Sequence, residues 1–343
     1  MAAGDPDDPF RNLELPVGDW VRDGVEWSAV HGRATFQALR WPFAQMLDWI
    51  TGSLVATPAP ILLLGIGLLV WQLLGVRRAA IGVLGFAVLG VIGVWTETMV
   101  TLAIVVTAVS FCVLFGVPLG IAMARSKRLE NVIRPVLDVM QTVPTFVYLV
   151  PIAMLVGIGS VPGVMATVFF AVAPSVRMTT LGIRQVPAGL IDAARALGLR
   201  PRQILLRIEL PLASGAIMAG INQTVLMGLA MCVTTSMIGA DGLGLLVLRG
   251  IGSMDMGLAA QGGIGIVLLG IMLDRLTQGL AARQRSDRTK WSERSLLALT
   301  AAVAGRMRGR WQAPSIRGAD PDHGASGPQM PRRASLAPSR DLA

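Results

Sequence analysis

Seven apolar runs, at about 57–75, 79–95, 98–123, 141–160, 163–183, 213–238 and 257–278, set the limits on what this chain can fold into. Crossing the hydrocarbon core of a bilayer takes about 20 apolar residues in a helix, and each run is close to that length. With 53% hydrophobic residues and a mean hydropathy of +0.62, the chain is too apolar for a soluble domain. Its charged residues, 15% of the total, fall below the roughly 25% of globular proteins. The expected class is an all-α polytopic membrane protein with about seven spans.

The net charge of +9 and pI near 11.1 raise the question of nucleic acid, and the placement of the charge answers it. Only Lys127 and Lys290 are lysines, and most of the arginines sit in short loops and in the C-terminal segment. Arg77 and Arg78 follow the first run, and Arg125, Lys127, Arg128 and Arg134 the third. Arg184, Arg195, Arg200, Arg202 and Arg207 follow the fifth, and Arg283, Arg285, Arg288 and Lys290 the last. The opposite loops carry little beyond Glu97, Asp241, Arg249 and Asp255. Basic residues concentrated on one side mark the cytoplasmic face, which predicts N-terminus out and C-terminus in, and no nucleic-acid partner. Cys112 and Cys232 stand alone within apolar runs, so neither a disulfide framework nor a metal site is expected. The stretch Met1–Leu13 holds Asp5, Asp7 and Asp8 and has no apolar core of a signal peptide.

Residues 1–56 read as an extracytoplasmic tail. Between Pro16 and Ile50, Trp20, Trp27, Phe36, Trp41, Phe43 and Trp49 mix with Asp19, Arg22, Asp23, Glu26, Arg33 and Arg40. Tryptophan favours the membrane–water interface, so an amphipathic helix lying on the outer leaflet is expected there. Residues 57–96 would hold two accessory spans and 97–278 the main membrane domain. Residues 279–343 read as a basic cytoplasmic tail, with a surface helix around Trp291–Leu299 and disorder from about Gly305.

A polar island, DAARALGLRPRQILLRIELP at Asp192–Pro211, interrupts the apolar pattern within a loop spanning 184–212. Pro187 suits a helix start, and Leu190, Ile191, Ala194 and Leu197 then share a face at helical spacing. Gly198 suits the stop, and Pro201 opens a second short helix. On these features alone, the segment could equally be a helix lying on the membrane surface. The order Asp192-Ala193-Ala194, then Gly198, then Ile208, Leu210 and Pro211 resembles the EAA loop of ABC-importer permeases. In that family the loop is the coupling helix that docks into a separate ATPase; Asp192 stands where glutamate is usual.

The resemblance extends along most of the chain. DPFRNLELPVGDWVRDGVEW, MVTLAIVVTAVSFCVLFGVPLGIAMARS, IRPVLDVMQTVPTFVYLVPIAMLVGIG, MAGINQTVLMGLAM and LRGIGSMDMGLA are similar to the permease subunit of glycine betaine/L-proline ABC importers. The resemblance implies a type I ABC-importer transmembrane domain and a permease homodimer in the bacterial inner membrane. It also implies a cytoplasmic ABC ATPase, an extracytoplasmic substrate-binding protein and uptake of compatible solutes for osmoprotection. ATP and Mg would be bound by the ATPase, with no cofactor in this chain. Asp241, where glycine is common, is a second small departure.

No G-x-x-x-x-G-K-[ST] phosphate loop is present, so the driving energy has to come from another chain. His31 and His323 lie in the two end segments and no paired carboxylates fall within the runs, which leaves enzymatic chemistry without support. A zwitterionic solute needs a polar route through the membrane. Gln141 and Tyr148 on the fourth run, and Asn222 and Gln223 on the sixth, are the candidate lining; Tyr148 could meet a quaternary ammonium through its ring. Helix–helix hydrogen bonding is the competing role for these residues, and the favoured one for the threonines nearby. Pro144, Pro151 and Pro174 are candidate bends, and Asp274 and Arg275 a pairing or snorkelling site. Choline or carnitine are alternative solutes. An ion-driven transporter would call for carboxylates deep in the membrane or an inverted repeat, and a non-transporting scaffold for interaction through the end segments.

Overall fold

The structure, a computed structural model, describes residues 16–285. The readings of Met1–Leu13 and of the C-terminal segment, with its surface helix and disordered end, lie outside the described residues. Among the described residues the chain is helical, with no strand: α1 (Val17–His31), α2 (Arg33–Ala56), α3 (Ala59–Leu74), α4 (Val76–Ile92), α5 (Trp95–Arg125), α6 (Lys127–Thr142), α7 (Thr145–Val156), α8 (Ser160–Arg184), α9 (Ala188–Ala196), α10 (Pro201–Ile204), a π turn (Leu205–Glu209), α11 (Leu210–Ser236), α12 (Leu243–Gly252) and α13 (Met256–Arg285).

Four of the expected runs form helices long and apolar enough to cross a membrane: α5, α8, the continuous stretch Pro201–Ser236, and α13 over Met256–Leu280. The other three do not. The run at 141–160 breaks at Val143–Pro144, where α6 and α7 meet at 97°. Pro144 pushes Val143 into the extended region (φ −68°, ψ 130°), and α6 carries Lys127, Arg128, Glu130, Arg134 and Asp138, too many charges for hydrocarbon. The remaining α7 has 12 residues, about 18 Å of helix. The same device separates α2 from α3, which meet at 109° before Pro58. The apolar part of α4, Ala79–Ile92, is also short. Among the described residues the helices long and apolar enough to cross a membrane therefore number four, or up to six if each bent pair counts as one, where the apolar runs suggest about seven.

The N-terminal segment is more than a surface helix. It forms α1 and α2, and Phe43 and Leu47 of α2 are buried with Ala103, Ile104 and Phe111 of α5 and Val164 of α8. Phe43 stacks on Phe111 with ring centroids 4.0 Å apart. At the other end α13 runs on through Arg285, past the span limit of 278 expected from hydropathy.

Helix α8 is the centre of the bundle, packed between α5 and α11. Without a hydrophobic drive between helices in lipid, such contacts depend on small residues that let backbones close up. A Cβ on Gly120 would lie 2.7 Å from both Thr179 Cβ and the Val176 carbonyl oxygen, and one on Gly116 would meet Ser175 Oγ at 2.9 Å. On the other side Gly182 faces Ala213 and Ala216, and Gly220 faces Met178 and the Pro174 carbonyl. Hydroxyls lock the seams: Thr180 donates to Gly120 O at 3.0 Å and Thr224 to Ala171 O at 3.1 Å. Around this centre α12 and α13 pack on α11, the α3–α4 hairpin on α13, and α6 and α7 on α8.

Candidate functional site

The loop between α8 and α11 folds as its sequence suggests, with one difference. Pro187 caps the start of α9, which ends in a Schellman arrangement: Gly198 N–H bonds Arg195 O at 2.9 Å and Leu199 N–H bonds Ala194 O at 3.1 Å. Gly198 takes φ +76°, the left-handed conformation that such a stop requires and that a side chain disfavours. Pro201 opens α10, where Gln203 Oε1 accepts the Arg200 N–H at 2.8 Å. The second helix does not stop there. It runs through the π turn straight into α11, so Ile208 lies in the π turn and Leu210 and Pro211 are the first residues of α11. Leu210 N–H reaches back five residues to Leu205 O, and Pro211, which has no N–H, cannot make the regular bond to Arg207 O.

On α9 only Ala194 is buried, at 4% exposure, while Leu190 is 49% exposed and Leu197, the C-cap residue just after the helix, 80%. Asp192 and Ala193 are exposed, and Asp192 pairs with Arg195 one turn on at 3.1 Å. An isolated helix of nine residues is marginal in water, and this one leaves Leu190 on its apolar face, and Leu197 just after it, uncovered.

The four path candidates separate into two groups. Asn222 turns toward α13, where its Nδ2 donates to Asp274 Oδ1 at 3.0 Å and its Oδ1 accepts from the Thr277 hydroxyl. Gln278 also donates to both Asp274 oxygens. Gln141 lies on the other side of α11, its Nε2 3.9 Å from Met227 Sδ, and Gln223 is exposed one turn before Met227. Tyr148 packs against Phe169 of α8, ring centroids 5.1 Å apart, and its buried hydroxyl has no partner among the described residues. Pro144 breaks the chain between two helices, whereas Pro151 and Pro174 stay inside α7 and α8. Thr142, Thr235 and Ser236 bond carbonyls of their own helices.

Residues 116–286, from the second half of α5 into the end of α13, match the family described as "Binding-protein-dependent transport system inner membrane component". The glycine betaine/proline betaine transport system permease protein ProW of Escherichia coli is 50% identical over 279 residues, 81% of this chain and 79% of that one. The chain belongs to this family of inner-membrane transport permeases. The glycine betaine transport system permease protein OpuAB of Bacillus subtilis is 37% identical over 79% of this chain and 96% of its own length. Among solved structures, the MetNI methionine ABC transporter matches with a TM-score of 0.50 at 20% identity, over 54% of this chain and 92% of that chain, a likeness of fold. The permease is thus a multi-helix component of the inner membrane with the type I ABC-importer fold.

The sequence reading missed the charged contacts at the foot of the permease. Arg125 and Arg184 are legible in the sequence only as loop arginines, and Glu209 lies between Ile208 and Leu210. In the structure Arg125 pairs with Glu209 and Arg184 with Glu130. The available signal is a second carboxylate, besides Asp192, in a polar island otherwise charged by arginine.

Proposed function

We propose that this permease is the translocating subunit of an ATP-driven importer of compatible solutes: glycine betaine, proline betaine and L-proline. The observation that carries the reading is the 50% identity to ProW over 81% of the chain. Two permease copies, two copies of a cytoplasmic ABC ATPase and an extracytoplasmic binding protein make up the working complex. Basic residues on the loops at the α9 end support an orientation with that end in the cytoplasm and the N-terminus outside.

The segment Asp192, Ala193, Ala194 and Gly198 docks into the ATPase, which covers Leu190 of α9 and Leu197 at its C-cap. ATP and Mg are bound there, in the partner. Closure of the ATPase pair pushes α9, and Ile208, Leu210 and Pro211 carry the push into α11, opening the path outward. The binding protein delivers solute, and hydrolysis returns the path to the inward state. Gln141, Tyr148 and Gln223 give the zwitterion polar and aromatic contacts on its way. An exposed amide at Gln223 within a membrane helix is costly against lipid, which supports its facing a wet path or the second permease. Asn222 supports this wall from behind by joining α11 to α13.

Uptake of radiolabelled glycine betaine at high osmolarity tests the proposal, in a host without its own osmolyte importers that expresses the chain with its ATPase and binding protein. Uptake that needs ATP and disappears without either partner is the expected result. An intact complex with no betaine uptake would move the substrate to another quaternary amine.

A further inference from the structure

Both roots of the α9 loop are tied to one place, the last turn of α5. At the upstream root Arg184, the final residue of α8, bonds Met123 O at 3.1 Å through Nη2. Its Nη1 lies 2.7 Å from Glu130 Oε2 on α6. At the downstream root Arg125, the final residue of α5, reaches Glu209 Oε2 at 3.2 Å and Pro201 O at 3.3 Å. One guanidinium therefore spans the first residue of α10 and the end of the π turn. The carboxylates are the shielded members of the pairs, with side chains 11% exposed at Glu209 and 16% at Glu130.

Met123 O is among the last carbonyls of α5, which have no partner within the helix and favour a cation beside them. Arg184 supplies that cation, and the planar fork of arginine lets one residue grip a carboxylate and a carbonyl together. The π turn, which ends at Glu209, is the least regular point of the stretch Pro201–Ser236, and the Arg125 contact fixes it from outside.

We propose that Arg125, Glu209, Arg184 and Glu130 are positioning residues that hold the α9 loop to the end of α5, so that a displacement of α9 moves α5, α8 and α11 as one body. The inference rests on the coupling role proposed for α9. Without the two arginine ties, α9 would swing on its roots and dissipate the stroke of the ATPase without opening the path.

The test uses the whole complex of permease, ATPase and binding protein in proteoliposomes, and reads solute transported per ATP hydrolysed alongside assembly and thermal unfolding. Arg125→Met and Glu209→Gln should leave the complex assembled and hydrolysing ATP while transport per ATP falls about tenfold, a typical size for a lost coupling. The swap Arg125→Glu with Glu209→Arg should recover most of it, which a general packing role would not predict. Arg22→Gln, at the exposed α1 pair with Asp19, is the control and should keep the wild-type ratio. Gly198→Asp, run in parallel, separates the two layers of the argument. If Gly198→Asp uncouples transport but Arg125→Met and Glu209→Gln do not, the clamp is overturned and the coupling loop stands. If Gly198→Asp also keeps the full ratio, the coupling role itself falls. Should the single variants fail to assemble, the swap decides: assembled and coupled supports the clamp, assembled and uncoupled overturns it.

Discussion

Asn222 of α11 donates to Asp274 of α13 at 3.0 Å, and the Thr277 hydroxyl on α13 donates back to the same amide. Both hydrogen-bonding ends of the Asn222 side chain are engaged by one neighbouring helix, which makes it a join between helices. Interhelical hydrogen bonds in membranes contribute about 0.6 to 2 kcal/mol. Asn222→Leu should therefore lower the thermal stability of the purified permease by about 1 kcal/mol or a little more, since Asp274 also loses a donor. Transport by the protein that remains folded should change little. A variant of normal stability that no longer transports would return Asn222 to the path.

Leu197, at the C-cap of α9, is 80% exposed. Leu197→Glu should leave the permease's own unfolding unchanged, because the side chain touches little of this chain. It should weaken ATPase binding about tenfold or more, the effect expected of a buried interface anchor replaced by a charge. Co-purification of the ATPase across a salt series provides the check. Unchanged retention would place the ATPase contact elsewhere on the loop.

Gly120 and Gly52 make opposite predictions although both lie inside helices. Gly120→Val has to push α5 off α8 at the Val176 carbonyl and should cost about 1–3 kcal/mol or prevent accumulation in the membrane. Gly52, in α2, has nothing within 4 Å of the place a Cβ would take. Gly52→Ala should stabilise by about 0.4–1 kcal/mol. Thermal unfolding of both variants in detergent gives the comparison; equal effects would mean that the α5–α8 approach is looser than described.

Tyr148 carries a buried hydroxyl without a partner among the described residues, beside the Phe169 ring. Removing it in Tyr148→Phe leaves nothing unpaired and should not lower stability. If the hydroxyl serves the solute in passage, the half-saturating solute concentration should rise about fivefold, or roughly 1 kcal/mol. Uptake kinetics at saturating binding protein read this directly, and unchanged kinetics would remove Tyr148 from the path.

The long spans were legible because hydropathy over 20 residues is dictated by lipid, and α5, α8, α11 and α13 follow it closely. Hydropathy failed at two prolines, Pro58 and Pro144, while Pro118 and Pro174 stay inside α5 and α8. At Val143–Pro144 and Thr57–Pro58 the restriction on the residue before proline outweighs the continuity of apolar side chains, and the chain turns. The burial of Phe43 and Leu47 was hidden because tryptophans and charges nearby gave α2 an interfacial composition. In the loop, Pro187 and Gly198 act on their immediate neighbours, so the limits of α9 could be read locally. The Arg125–Glu209 and Arg184–Glu130 pairs join residues 84 and 54 positions apart, which no spacing rule connects. Asn222 and Gln223 looked alike as adjacent amides, but a helix turns about 100° per residue and gives them different neighbours.

The π turn at Leu205–Glu209 holds one residue more than the α-helical turn it replaces. Removing one residue from it would let the turn close into ordinary α-helix and leave Gly220 and Thr224 still aimed at α8. The same deletion a few residues later in α11 would swing everything beyond it by about 100°. This short stretch is thus where the span can tolerate a change in length without losing its rotational phase.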